Sequence, residues 1–245
     1  MHQIWIDGKL QAGQNSPALI PPDAVYETLR THGQKICELR PHMVRLQTSA
    51  MAIGVPIPSI EQLEEELLAV SENNIVLRII LHKDGTRVLH RRPVHPGKWG
   101  QAIDLVSWTD PGDGPPGFAK HGQRQQWEKA RLSAGVDEIL RIDTQRLVLE
   151  AGASNVFAVV NGMLRTPPLD GRILPGITRN QVLVLAKKHG IAVSEAPLPR
   201  NSLWEELGLS SSLKGIAPVA NLDGIKQPGL GPILSTLQHA LNESL

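Results

Sequence analysis

Three stretches in the second half of this 245-residue chain carry side chains whose types and spacing suit chemistry. The first is Lys120, followed by His121, Gly122, Gln123 and Arg124. A lysine withdrawn from water among other cations holds its proton less firmly, and its neutral amine then suits imine formation with a carbonyl. A lone lysine is otherwise a surface residue, so this reading depends on its company. The second stretch is Leu149-Glu-Ala-Gly-Ala-Ser-Asn-Val-Phe157, which sets Glu150 among apolar and small residues. A carboxylate so placed needs a cationic partner, either an arginine or a protonated pyridine nitrogen. The third is Ile173-Leu-Pro-Gly-Ile-Thr-Arg179, a tight loop feeding a helix. Its unpaired N–H groups, partial positive charge and Thr178 hydroxyl suit a phosphate, though an ordinary capped helix would look the same.

These residues need elements to position them. In the first half, residues 4–6 before Asp7-Gly8 predict a strand and a hairpin turn, and residues 25–30 and 35–39 flank a second turn at His32-Gly33. Pro41 opens a helix with Met43, Leu46, Ala50 and Ile53 at helical spacing, ended by Gly54. Ser59 caps another, with Ile60, Leu63, Leu67 and Leu68 inside and Glu61, Glu64, Glu65 and Glu66 in water. Residues 75–81, 86–91 and 102–108 read as strands. The proline- and glycine-rich run Asp110-Pro-Gly-Asp-Gly-Pro-Pro-Gly117 reads as a linker, and it lacks the G-K-S/T ending of a phosphate-binding P-loop. The second half offers a helix over 123–133, strands over 136–142 and 147–149, a hairpin across Asn161-Gly162, a helix from Thr178 or Arg179 to Gly190, and a last helix over 232–241. Strands and helices are segregated, so the fold class is α+β. The domains are a small N-terminal α/β domain (1–110), an interdomain linker (111–119) and a larger C-terminal domain (120–245).

Composition removes other classes of function. A net charge of +1 and only 3% aromatic residues argue against a nucleic-acid surface. No apolar run approaches the roughly 20 residues of a membrane span, and the N-terminal residues do not read as a signal peptide. Cys37 is the sole cysteine, which excludes an internal disulfide and points to a reducing, cytoplasmic setting. His82, His90 and His95 show no metal-ligand spacing, so no metal is expected. Lys83, Arg87, Arg91 and Arg92 form a basic cluster that reads as a solvated strand face; alternatively one of them, or His82, reads a substrate carboxylate.

The motifs, taken together and in order, resemble the class IV aminotransferases, the fold-type IV pyridoxal phosphate (PLP) enzymes. Tyr26-Glu-Thr-Leu-Arg30 is similar to the family's F-E-T-L-R strand, and His42-Met-Val-Arg-Leu46 to its H-x-x-R-L helix. Glu150 to Phe157 is similar to E-G-x-x-S-N-x-F. Thr166-Pro-Pro-Leu169 with Ile173 to Arg179 is the most specific block, and Ser210-Ser-Ser-Leu-Lys-Gly-Ile-Ala-Pro-Val219 resembles the late loop that closes over phosphate and substrate. The resemblance implies a small α/β domain, a larger β-barrel-like domain, PLP in the cleft between them, and a homodimer acting on a small-molecule substrate. It implies Lys120 as the catalytic lysine that attaches the cofactor. Lys129, within a helix, and Lys98, before the linker, fit that role less well. It implies Glu150 on the pyridine nitrogen, Leu174 against the ring, and Arg45, Ile177, Thr178 and Ser212 on the phosphate. Tyr26, Thr28, His82, Arg124, Leu213 and Lys214 are the candidate substrate residues.

Two features depart from the family pattern. Residues 16–25 replace its D-R-G and Y-G-D-G motifs, of which only Asp23 survives, and the tyrosine that often follows the catalytic lysine is absent. Within the family, Ser-Ser-Leu-Lys-Gly-Ile-Ala-Pro-Val and Lys120-x-x-x-Arg124 with Trp127 and Arg131 look like aminodeoxychorismate lyase, which releases pyruvate and 4-aminobenzoate. The alternatives are an aminotransferase acting on branched-chain or D-amino acids, and a PLP-binding relative with little turnover.

Overall fold

Strand β3 (Val25–His32) alternates strictly: Val25, Glu27, Leu29 and Thr31 are buried, while Tyr26, Thr28, Arg30 and His32 are half-buried. That period of two gives the strand an inner and an outer face. A computed structural model describes residues 2–12, 20–95 and 99–245 and divides the chain into two compact units.

The first unit comprises Met1–Pro96 and Ala119–Arg124. It holds β1 (Gln3–Ile6), β2 (Lys9–Leu10), β3, β4 (Lys35–Ile36), helices α1 (Leu39–Ile53) and α2 (Ile60–Ala69), β5 (Ile75–Leu81) and β6 (Arg87–Pro93). The strands form one antiparallel sheet in the order β2-β1-β6-β5-β3-β4. Met43, Leu46 and Ala50 of α1 and Leu63 and Leu67 of α2 pack with Leu29, Leu77 and Ile79 of the sheet. α1 starts two residues before Pro41, which lies in the first turn, where a missing N–H costs nothing. Ser59 caps α2 by accepting the Gln62 N–H at 3.1 Å.

The second unit comprises Gly97–Phe118 and Gln125–Leu245. It contains β7 (Ile103–Thr109), α3 (Gln125–Ala134), β8 (Glu138–Ile142), β9 (Leu147–Ala151), β10 (Asn155–Val160), β11 (Met163–Thr166), α4 (Ile177–Lys188), β12 (Val193–Glu195), β13 (Leu198–Pro199), β14 (Glu206–Ser211), β15 (Gly215–Leu222), β16 (Ile225–Lys226) and α5 (Pro232–Glu243). Its ten strands form one mixed sheet in the order β12-β11-β10-β14-β15-β7-β8-β9-β13, with β16 on β15.

The division differs from the expected 1–110, 111–119 and 120–245. β7, expected in the small domain, pairs in parallel with β8 and β15 and so belongs to the second unit. The expected linker belongs there up to Phe118: a Cβ at Gly117 would lie 2.1 Å from the Arg172 carbonyl oxygen, so this stretch packs closely. Residues 119–124 cluster instead with the first unit, where His121 bridges to Val25. The expected late loop is largely a hairpin, with Ser210 at the end of β14 and Ser212, Leu213 and Lys214 in the turn to β15.

Candidate active site

In the first unit, backbone contacts place Lys120. Its carbonyl accepts the Tyr26 N–H at 3.0 Å, and its own N–H donates to Ser49 Oγ on α1 at 2.9 Å. The Gly122 N–H donates to Ala24 O, and a Cβ on Gly122 would sit 1.8 Å from the Pro21 oxygen, so only glycine lets the chain pass. The half-buried Lys120 brings Nζ to 4.9 Å from the centre of the Tyr26 ring, where the aromatic face attracts a cation. Arg78 approaches the same ring at 5.8 Å and donates through Nε to Thr28 Oγ at 3.2 Å. Arg124 is buried and donates through Nε to Ala119 O at 3.2 Å. Burial pushes the Tyr26 hydroxyl pKa up, while Arg124 and Arg78 pull it down. Tyr26, Thr28, Lys120 and Arg124 thus share one neighbourhood. His82 stands in the β5–β6 turn, its N–H on Thr86 O. Lys129 is exposed on α3, and Lys98 and residues 16–19 lie outside the described residues.

On the other face of β3, Glu27 is completely buried. Arg45 holds it by a fork, Nε to Oε1 at 2.7 Å and Nη2 to Oε2 at 2.8 Å, and His42 Nδ1 donates to Oε2 at 2.8 Å. Residues three apart share a helix face, so α1 presents both partners together. Burial alone would raise the Glu27 pKa; Arg45 and His42 outweigh it and hold the carboxyl far below the usual range. Burial depresses the His42 imidazole against the pull of Glu27. Arg45 O accepts the Ser49 hydroxyl at 2.9 Å, which links this cluster to the backbone of Lys120.

In the second unit, Glu150 is 1% exposed. β8 and β9 shift register between Leu140 and Ile142, so Leu149 and Glu150 lie opposite Arg141. Such an irregularity re-aims a side chain. Glu150 Oε1 accepts Arg141 Nη1 at 2.7 Å, and Oε2 accepts the Leu174 N–H at 3.1 Å. Asn155 Nδ2 donates to Leu174 O at 3.0 Å and reaches Glu150 Oε2 at 3.4 Å. A Cβ on Gly176 would lie 1.8 Å from Asn155 Oδ1, so glycine is needed where this side chain meets the start of α4. The two motifs holding Glu150 and Leu174 are therefore one cluster. Ile177, half-buried, and Thr178, buried, begin α4; its N-cap is Gly176, which has no side chain to cap the first turn. Ser210 pairs with Asn155 across β10 and β14, and its buried Oγ has no hydrogen-bond partner among the described residues. Lys214 Nζ pairs with Glu138, which also accepts Ser154 Oγ at 2.8 Å and the Ala153 N–H at 2.9 Å. Ser212 and Leu213 are half-buried in the turn.

Sequence reasoning missed Arg141, Asp110, Asn155 and Ser210. Arg141 had a signal: it is the one basic residue in the fully buried strand Glu-Ile-Leu-Arg-Ile. Asp110 was hidden as the first residue of an apparent linker.

The buried Glu150 thus lies beside a helix start whose first backbone N–H groups have no side-chain cap. The model of the amino-transferase class IV family matches residues 24–222, and the chain belongs to that family, a class of PLP enzymes. It is 28% identical to the branched-chain-amino-acid aminotransferase of Escherichia coli, over 97% of this chain and 91% of that protein. It is 29% identical to the D-alanine aminotransferase of Listeria monocytogenes, over 91% and 87%. The crystal structure of a branched-chain amino acid aminotransferase from Thermobaculum terrenum in its PLP form aligns with a TM-score of 0.82 at 21% identity, over 99% and 93%. The residues present fit PLP: Ser210 Oγ is an orphaned buried hydroxyl, the α4 start lacks a side-chain cap, and Glu150 is a buried acceptor. No described helix is long and apolar enough to cross a membrane.

Proposed function

We propose that the chain is an amino-acid aminotransferase acting on branched-chain or D-amino acids with PLP, in keeping with the names of its relatives. The observation that carries the reading is the joining of Glu150 to the turn before α4 through Leu174 and Asn155. When bound, PLP supplies a ring that accepts the negative charge left by proton removal beside the substrate nitrogen. Lys120 Nζ would hold the cofactor and serve as the base for that proton. Glu150 holds the ring nitrogen protonated, and Leu174 supports the ring. Arg45, oriented by Glu27, acts with the Ile177 N–H and the Thr178, Ser210 and Ser212 hydroxyls on the phosphate. Tyr26, Thr28, His82, Arg124 and Leu213 shape the substrate end; Lys214 ties the turn to Glu138. The active form is a cytoplasmic homodimer.

A second reading, aminodeoxychorismate lyase, is favoured by the Ser212-Leu-Lys-Gly215 turn and by Arg124 four residues after Lys120. One experiment tests both. L- and D-amino acids with 2-oxoglutarate should yield keto acids, and aminodeoxychorismate alone should yield nothing. Equal release of pyruvate and 4-aminobenzoate without a keto-acid acceptor reverses the order of the two readings.

A further inference from the structure

Glu138 opens β8 and is 3% exposed. Its carboxylate meets two turns of the second unit. Oε2 accepts the Ala153 N–H at 2.9 Å and Oε1 accepts Ser154 Oγ at 2.8 Å, both from the turn that joins Glu150 on β9 to Asn155 on β10. Oε1 also pairs with Lys214 Nζ, from the turn that joins β14 to β15 and carries Ser212. The two turns are neighbours because β10 and β14 pair, Asn155 opposite Ser210. Glu138 bridges them. Both members of its pair with Lys214 are largely withdrawn from water, so salt screens it little. Backbone contacts hold the second leg of the β14–β15 turn. The Lys214 N–H donates to Ser211 O at 3.2 Å, and the Lys214 carbonyl accepts the Gly100 N–H at 2.9 Å. Gly215 follows in the left-handed region, at a φ of 63°, and a Cβ there would lie 2.6 Å from the Trp99 ring. A three-residue hairpin turn ending in such a glycine is a standard form. The Lys214 side chain then ties this turn to the one beside Glu150.

We propose that Glu138 is a positioning residue that, through Lys214, sets the Ser212 turn against the Glu150 motif, so that Ser212 meets the phosphate while Glu150 meets the ring. This rests on the PLP reading above. Lys214 contributes by its tie to Glu138, and the two side chains act as one unit. Cutting the tie from either end frees the turn and costs the phosphate contact, while the ring end of the site keeps its own anchors at Arg141 and Leu174.

The test is binding to the apoprotein of PLP and of pyridoxal, which has no phosphate. Several hydrogen bonds to a charged phosphate predict that the wild-type protein prefers PLP by at least about a hundredfold. Glu138→Gln and Lys214→Met should each cut that preference about tenfold, the worth of one such bond, with pyridoxal binding unchanged. The double variant should lose no more than either single one, since both cut the same tie. If Glu138→Gln fails to fold, Glu138→Asp takes its place, keeping the charge but drawing the carboxylate back from Lys214. Losses that add in the double variant overturn the proposal, because Lys214 would then act apart from Glu138. Weakening of both ligands together in the single variants marks a merely structural role and overturns it too. A wild-type preference that either single variant keeps overturns the positioning role alone. A wild-type protein that binds PLP and pyridoxal equally overturns the phosphate reading of Ser212 and this role with it.

Discussion

Two buried glutamates, one in each unit, meet arginine in different ways. Glu27 receives a full fork from Arg45 plus the His42 imidazole, all from one strand and one helix turn. Its charge is answered within the cluster. Glu150 receives a single N–H from Arg141, whose remaining charge goes to Asp110. The first cluster ties one strand to one helix turn and, through Ser49, holds the backbone of Lys120. In the second, Glu150 and Asp110 share one guanidinium. A buried carboxylate–arginine pair is thus no mark of function by itself.

The contrast can be broken most severely at Lys120, whose backbone the first cluster holds. If the proposed function holds, Lys120→Ala should fold normally and lose turnover by at least about a thousandfold, since the amine would both attach the cofactor and move the proton. Normal turnover, with borohydride still labelling the chain, would mean another lysine serves.

Glutamine at each glutamate is the sharper comparison. Glu150→Gln should lower turnover on the order of a hundredfold while PLP binding falls modestly, because the amide cannot hold a ring nitrogen protonated. Glu27→Gln should show itself in stability, costing about 3–5 kcal/mol in urea unfolding, since it strands Arg45 in the interior. The contrast collapses if Glu27→Gln unfolds normally or Glu150→Gln turns over normally.

Arg45→Ala tests whether the Glu27 cluster also reaches the phosphate. Loss of charge-assisted bonds should raise the PLP dissociation constant about tenfold, with kcat at saturation little changed. An unchanged dissociation constant would confine Arg45 to the Glu27 cluster.

The smallest effect concerns pH. His90, also in the first unit, is depressed to about 4 by burial, helped by His2, Arg78 and Arg92. The unfolded chain therefore binds a proton at a higher pH than the folded one does. The stability from neutral His90 is complete above the ordinary value of 6.5 and is lost as pH falls towards about 4. Thermal midpoints at pH 7 and pH 5 should differ more for the wild type than for His90→Gln. Equal differences would show that His90 does not contribute.

Local pattern made much of this legible. The alternation in β3, the helical spacing of Met43, Leu46 and Ala50, and the turns at Asp7-Gly8 and Asn161-Gly162 are short-range signals, set by backbone geometry within a few residues. The order of the motifs identified the family, and the apolar surroundings of Glu150 called for a cation. Sequence left open which cation. Arg141 is opposite Glu150 because β8 and β9 slip register, and Asp110 reaches it because β7 pairs in parallel with β8, Trp108 opposite Arg141. Ser210 comes beside Asn155, 55 residues earlier in the chain, through the pairing of β10 with β14. A period of two tells which face a side chain takes, but not which strand will be its neighbour. That choice depends on non-local ladders and packing, so the domain division and the partner of Glu150 were decided only in the tertiary structure.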